Sequence, residues 1–192
     1  SIFKNISDNW LGSRKEKGFS LGFFSEDYLQ RAPIAVVKNT QEEIVAFATI
    51  MPTYTNNKVG TIDLMRYDPK KAPSGSMDFL FLHLFAYMKE EHIQWFNLGM
   101  APLSNVGTSR KSFLQERIAY LVYEFGSHFY SFHGLREYKS KYATNWVSRY
   151  TLYSRDSWIA YVMIALLIID NAPVEQTQGR INGLKKWIRR KY

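Results

Sequence analysis

Residues Ile34 to Met51 read IAVVKNTQEEIVAFATIM, two apolar, β-branched runs around a polar turn at Asn39 to Glu43. That pattern predicts two strands, Ile34 to Lys38 and Ile44 to Met51, joined as a hairpin. A third strand is expected at Thr61 to Tyr67, after the Asn56–Asn57 turn. Asp68 to Gly75 is a loop, marked by Pro69, Pro73 and Gly75. Ser76 is placed to cap a long helix, Met77 to His92, with Phe79, Leu82, Phe85 and Ala86 facing inward. Ile93 to Leu98 then reads as a buried strand. Three strands, a helical crossover and a further strand predict an α/β (α+β) fold. Its sheet is mixed and mostly antiparallel, with helices on both faces.

Upstream, Ile2, Phe3, Ile6, Trp10 and Leu11 fall on one helical face, and Gly18 stops that helix. Ser25 caps a short turn, Glu26 to Arg31, before Pro33. Downstream, Gly99 to Ser109 is a loop with Pro102 and Gly107. Helices are expected at Lys111 to Phe125 and Leu135 to Tyr142, then a strand at Trp146 to Tyr153. Two helices close the chain, Trp158 to Asp170 and Arg180 to Lys191, split by Pro173. No repeat or long linker interrupts this order. The expectation is one domain over 1–192, with 178–192 a basic C-terminal helix.

The chain has 192 residues, 46% of them hydrophobic and 16% aromatic, which argues against disorder. Its formal charge of +8 favours anionic partners, nucleic acid or acidic lipid. With no cysteine, disulfides, thiolate zinc sites and a cysteine nucleophile are excluded. No secretory signal is expected, because Ser1 to Arg14 is amphipathic. Trp158 to Ile169 is the most apolar run. As a helix it reaches about 18 Å, against roughly 30 Å of bilayer hydrocarbon. It reads as a buried helix, with a membrane-contacting helix as the alternative.

Three motifs carry a resemblance. The first joins Ile62-Asp63-Leu64-Met65-Arg66-Tyr67 to Gly75-Ser76-Met77-Asp78-Phe79-Leu80-Phe81. The second is Phe96-Asn97-Leu98-Gly99-Met100-Ala101-Pro102-Leu103. The third runs from Phe129 through His133-Gly134-Leu135-Arg136-Glu137-Tyr138-Lys139-Ser140-Lys141-Tyr142 to Trp146 and Arg149-Tyr150. Together they resemble the C-terminal soluble domain of the phosphatidylglycerol lysyltransferase (lysyl/alanyl-phosphatidylglycerol synthase, multiple peptide resistance factor) family. The element order is also similar to the GNAT-like acyltransferase fold. The usual glycine-rich coenzyme A loop is absent from Arg66 to Ser76, which counts against acetyl-CoA.

The resemblance implies an aminoacyltransferase that moves lysine from lysyl-tRNA to the glycerol hydroxyl of phosphatidylglycerol, with no cofactor and no metal. It implies a longer protein with an N-terminal flippase domain and a first GNAT half. It also implies an anionic membrane surface as partner, at the cytoplasmic face of the cell membrane. The product lipid would confer resistance to cationic antimicrobial peptides. Lysine and alanine stay open as donor. So do two other readings: a Fem-type transferase acting on a peptidoglycan precursor, and a non-catalytic tRNA or membrane docking module.

The same resemblance implies Asp63, Arg66 and Lys139 as catalytic. Residues three apart on a regular strand face opposite sides, so Asp63 and Arg66 share a site only across a bulge, expected near Met65. Asp63 would bind an ammonium or act as base, and Arg66 would bind a phosphate or the ester oxygen; a structural salt bridge is the plain alternative. Lys139 and Lys141 point about 200° apart on a helix, so one faces the site. Ser76, Asp78, Met100 and Arg136 are assigned to the aminoacyl or lipid substrate. Ser76 opens a helix N-terminus that suits phosphate or simply caps the helix. Asp63, Asp78 and Glu116 are the candidate carboxylates for a lysyl side chain. Lys185, Lys186, Arg189, Arg190 and Lys191 form the expected tRNA contact, with an interfacial lipid helix as rival. His128 and His133 remain weaker candidates for a general base.

Overall fold

The computed structural model describes residues 1–14, 16, 23–51, 59–125, 132–150, and the single positions 152, 154, 158, 161, 162, 164, 165 and 168. They fall into two compact units, one built on Ser1–Asn97 and the other on Leu98–Ala165.

The first unit opens with α1 (Ile2–Leu11) and the short α2 (Glu26–Leu29). The Ser1 hydroxyl caps α1 by accepting from the Lys4 N–H at 3.3 Å. The helix ends at Gly12, six residues before the expected stop at Gly18. Gly12 takes φ 55°. Arg14 folds back on the helix end and donates from Nε to the Leu11 carbonyl at 3.2 Å, satisfying one of its free acceptors.

Strands β1 (Ile34–Lys38), β2 (Ile44–Met51), β3 (Val59–Tyr67) and β4 (Trp95–Asn97) form one sheet in the order β1-β2-β3-β4. The first two pairings are antiparallel and β3–β4 is parallel. The β1–β2 turn is held by Asn39, whose side-chain oxygen accepts from the N–H groups of Gln41 and Glu43, both at 3.0 Å. A parallel partner needs a crossover, supplied by α3 (Ser76–Glu90). The mixed sheet flanked by helices is the expected class.

Strand β2 is buried on both faces: Val45, Ala46, Phe47, Ala48 and Thr49 have no solvent exposure. Ala46 and Ala48 pack with Leu80 and Leu84 of α3, where small side chains let the helix approach closely. Phe47 packs on the opposite face with Ile6, Leu29 and Leu64. Phe3 adds an edge-on ring contact to Phe47 at 5.1 Å.

Several expectations change. Ser76 does not cap α3: Gly75 is the cap residue, and the Ser76 hydroxyl donates to the Pro73 carbonyl at 2.6 Å. Strand β4 is shorter than expected and is not buried. Trp95 is 56% exposed, because among the described residues β4 is an edge strand. Its Phe96 still packs edge-on against Phe85 at 5.2 Å.

In the second unit, α4 (Leu114–Phe125) starts three residues later than expected, and α5 (Phe132–Ser140) starts earlier. Residues 145–150 have no regular structure, so the strand expected from Trp146 is not formed there. The apolar run from Trp158 is helical at Tyr161, Val162, Ile164, Ala165 and Ile168. Trp158, Tyr161, Ile164 and Ile168 are all exposed, which contradicts the buried reading. No helix among the described residues is long and apolar enough to cross a membrane. The expected Arg180 to Lys191 helix, with Lys185, Lys186, Arg189, Arg190 and Lys191, lies outside the described residues, as does His128.

Candidate active site

In the first unit, β3 gains one residue relative to β2. Ala48 pairs with Met65, but Ile50 pairs with Ile62, so Asp63 and Leu64 together stand opposite Thr49. The bulge falls just ahead of the expected Met65. Its Leu64 N–H, displaced from the ladder, donates to the Thr49 hydroxyl at 3.0 Å. The extra residue changes the alternation of side chains. Met65 packs with the α3 core, while Leu64 packs with the α1/α2 core. Asp63 and Arg66 both find partners on the α1/α2 side.

Tyr28 of α2 donates its hydroxyl to the Asp63 carboxylate at 2.7 Å. Burial, and then this bond, raise the Tyr28 pKa above the ordinary phenol value. Arg66 is only 4% exposed. It donates to both Glu16 carboxylate oxygens at 2.7 Å and to the Ser7 hydroxyl, and it stacks over Trp10 at 5.0 Å. This is a buried arginine, ion-paired with Glu16. Tyr28 and Glu16 carried no signal in the sequence, since the pairing of Glu16 with Arg66 spans 50 residues.

The loop after β3 is organised by a buried carboxylate. Asp68 accepts from the Lys70 N–H and from the Asn9 side-chain amide, both at 2.9 Å. Its carbonyl takes the Ala72 N–H at 2.8 Å. A coenzyme A pyrophosphate would need loop N–H groups free for an anion. Here a resident carboxylate already holds one of them. Asp78 lies in the first turn of α3, where it complements the helix dipole. Lys71 pairs with Glu43 at 2.8 Å. That contact raises the lysine pKa and lowers the glutamate pKa.

In the second unit, Lys139 donates from Nζ to the Met100 carbonyl at 2.7 Å. Burial lowers its pKa from the ordinary 10.5. Gly99 leaves room for the ammonium. It takes φ +76°, and a Cβ there would stand 3.3 Å from the Lys139 ammonium. The loop that begins here is strained, with Leu103 at φ 61° and Asn105 at φ 63°. Arg136 supports it by donating to the Ser104 hydroxyl at 3.2 Å while stacking on Trp146 at 3.4 Å. Arg136 is thus held by the protein itself. Lys141 stands over the Tyr138 ring at 5.2 Å. His133 lies 3.7 Å from Glu137 and 5.9 Å from the Tyr123 ring. Glu116 accepts from the Phe113 N–H at 3.0 Å at the start of α4. Among the described residues no cluster of His, Asp or Glu could hold a metal ion.

The structure therefore gathers Asp63 and Arg66 on one face of β3, and Lys139 and Met100 at one end of α5. Ser76 and Asp78 stay on the first turn of α3.

The family model for "Phosphatidylglycerol lysyltransferase, C-terminal" matches residues 2–153. The phosphatidylglycerol lysyltransferase of Bacillus subtilis (strain 168) is 51% identical over 160 residues, 83% of this chain and 18% of that protein. That of Staphylococcus aureus (strain COL) is 45% identical over 154 residues, 80% of this chain and 18% of its own length. The solved structure of L-PGS from Bacillus licheniformis superposes with a TM-score of 0.71 at 45% identity, covering 90% of this chain and 50% of that one. The chain spans less than a fifth of the curated relatives it matches. With the family model matching from α1 to beyond α5, this chain belongs to the phosphatidylglycerol lysyltransferase C-terminal family.

Proposed function

We propose that the chain is the C-terminal part of an aminoacyltransferase that moves lysine from lysyl-tRNA to a glycerol hydroxyl of phosphatidylglycerol. The work is done at the cytoplasmic face of the cell membrane, within a longer protein that carries the flippase domain and the first GNAT half. The lipid hydroxyl attacks the ester carbonyl, negative charge develops on the carbonyl oxygen, and the tRNA ribose hydroxyl leaves. Such a step needs oriented reactants and a cation for the oxyanion. The observation that carries this reading is Lys139, a partly desolvated ammonium held at 2.7 Å on the carbonyl of Met100 by a glycine that leaves it room. A cation with its hydration partly removed interacts more strongly with developing charge than one in water.

Asp63, oriented by Tyr28, is suited to the lysyl ammonium. Arg66, on the same face of β3, ties that strand to Ser7 of α1 and to Glu16. The basic segment Lys185 to Lys191 serves as a tRNA contact. The test is transfer of radiolabelled lysine from lysyl-tRNA to phosphatidylglycerol vesicles by the longer protein. Lysyl-phosphatidylglycerol is the expected product. A lysyl muropeptide instead, or no lipid product, overturns the reading.

A further inference from the structure

An open groove of about 430 Å³ lies where the loop before α4 meets that helix. Thr108, Ser109, Arg110, Arg117, Tyr120 and Leu121 line it, and none of the described lining residues is acidic. Arg117 donates from Nη2 to the Arg110 carbonyl at 2.8 Å, which brings two guanidinium-bearing residues to one groove. Neither forms an ion pair among the described residues. Glu116, the nearest acid in the sequence, is committed to the Phe113 N–H. The Ser109 hydroxyl accepts from the Lys111 N–H at 3.2 Å, which leaves its own proton to donate. Gly107 holds the loop against the helix: it takes φ +72°, and a Cβ there would lie 2.2 Å from the Glu116 carbonyl oxygen.

A second feature borders this groove. Leu114, Ile118 and Leu121 recur at helical spacing on α4, and they are 70%, 43% and 53% exposed. Phe113, just before them, is 78% exposed. Contiguous exposed side chains of this size mark an interaction surface.

We propose that the groove and this stripe form a docking surface for anionic phospholipid. Arg110 and Arg117 take the lipid phosphate, because a planar guanidinium pairs with phosphate oxygens through two parallel N–H donors. Phe113, Leu114, Ile118 and Leu121 enter the boundary between headgroups and acyl chains, as the apolar face of an interfacial helix does. An RNA phosphate would satisfy the arginines but leave the aliphatic stripe in water. An apolar protein partner would cover the stripe but leave the arginines unused. The proposal rests on the reading of a bilayer substrate, but it is measured without any transfer reaction.

The test is binding of the 192-residue chain to vesicles of phosphatidylglycerol and of phosphatidylcholine, with tRNA affinity measured in parallel. A basic side chain at an anionic surface is worth roughly fivefold in affinity, so R110Q/R117Q should lose about 25-fold on phosphatidylglycerol. L114S/I118S should also weaken vesicle binding, and both should keep the parent's unfolding transition, since these side chains are exposed. Vesicle affinity within twofold of the parent for both variants overturns the proposal. So does a fall in tRNA affinity with vesicle binding intact, which would mark an RNA site. Loss of thermal stability in the longer protein without loss of vesicle binding also overturns it, since that marks an internal interface. Failure of the transfer reading would look different: intact vesicle binding with no lysylated lipid formed.

Discussion

Lys139 is the side chain whose chemistry is most exposed to test. Burial favours its neutral form, so its proton is lost at a pH below the ordinary 10.5. If the cation stabilises the oxyanion, turnover falls on the alkaline side as that proton leaves. Lys139→Met should lower kcat at least tenfold. Lys139→Arg should recover part of the rate and remove the alkaline fall, because a guanidinium stays charged throughout. Initial-rate pH profiles of the longer protein check this, and an unchanged alkaline fall in Lys139→Arg assigns it to another group. Arg66 behaves differently. It is buried beside Glu16, and removing one partner of such a pair typically costs about 3–5 kcal/mol. Arg66→Ala should therefore show a large loss in denaturant midpoint as well as reduced turnover. A wild-type midpoint would mean that Glu16 relaxes into solvent at no cost.

At the level of elements, the Gly99 to Gly107 loop and the Asp68 loop are each held by side-chain contacts that a single substitution can disturb. Gly99→Ala puts a methyl group 3.3 Å from the Lys139 ammonium on a backbone with φ +76°. Such a residue costs about 1 kcal/mol or more where glycine costs little. The expected outcome is reduced turnover with a small loss of stability, read by kinetics and thermal unfolding together. Full activity would dissociate the Met100 carbonyl contact from catalysis. The loop after β3 should not accept coenzyme A, since Asp68 already occupies the Lys70 N–H. Titration calorimetry showing low-micromolar binding would reverse the choice of acyl donor.

For the whole molecule, the chain's share of its relatives matters most. It spans about 18% of the Bacillus subtilis and Staphylococcus aureus proteins. The basic segment is tested best in the longer protein, with tRNA and lipid vesicles both supplied. Replacing Lys185, Lys186, Arg189 and Arg190 by alanine should weaken tRNA binding more than it slows chemistry at saturating tRNA. If about three of these groups neutralise phosphates, log K falls with log salt at a slope of roughly −2 to −3, and the variant should flatten it. Unchanged tRNA affinity with lost vesicle binding would move the segment to the membrane. The α4 surface predicts the reverse pattern for Arg110 and Arg117, so the two basic regions are separable by the same pair of measurements.

The sequence by itself determined the hairpin, the third strand and the crossover helix. Their signals are local: the β-branched runs and the Asn39 turn lie within a few residues. The family was legible for the same reason, since its motifs are contiguous. The inward face of α3 was misplaced: Leu80, Phe81, Leu84 and Met88 are buried, while Phe79 and Leu82, expected inward, are exposed. The end of α1 and the cap of α3 were misplaced. Gly12 takes a positive φ ahead of Gly18, and Ser76 turns back to Pro73, choices that depend on how loops close. The Trp146 strand was misread because an aromatic, β-branched run can serve stacking as well as pairing; Trp146 is spent on Arg136. Only the tertiary structure decided that Asp63 and Arg66 share a face, because that rests on one extra residue against Thr49. It also decided that Arg66 is paired with Glu16 across 50 residues, and that Lys139 lies on the Met100 carbonyl across 39. Contacts at that range are set by which faces bury together, and hydrophobic periodicity carries no record of the polar partners enclosed between them.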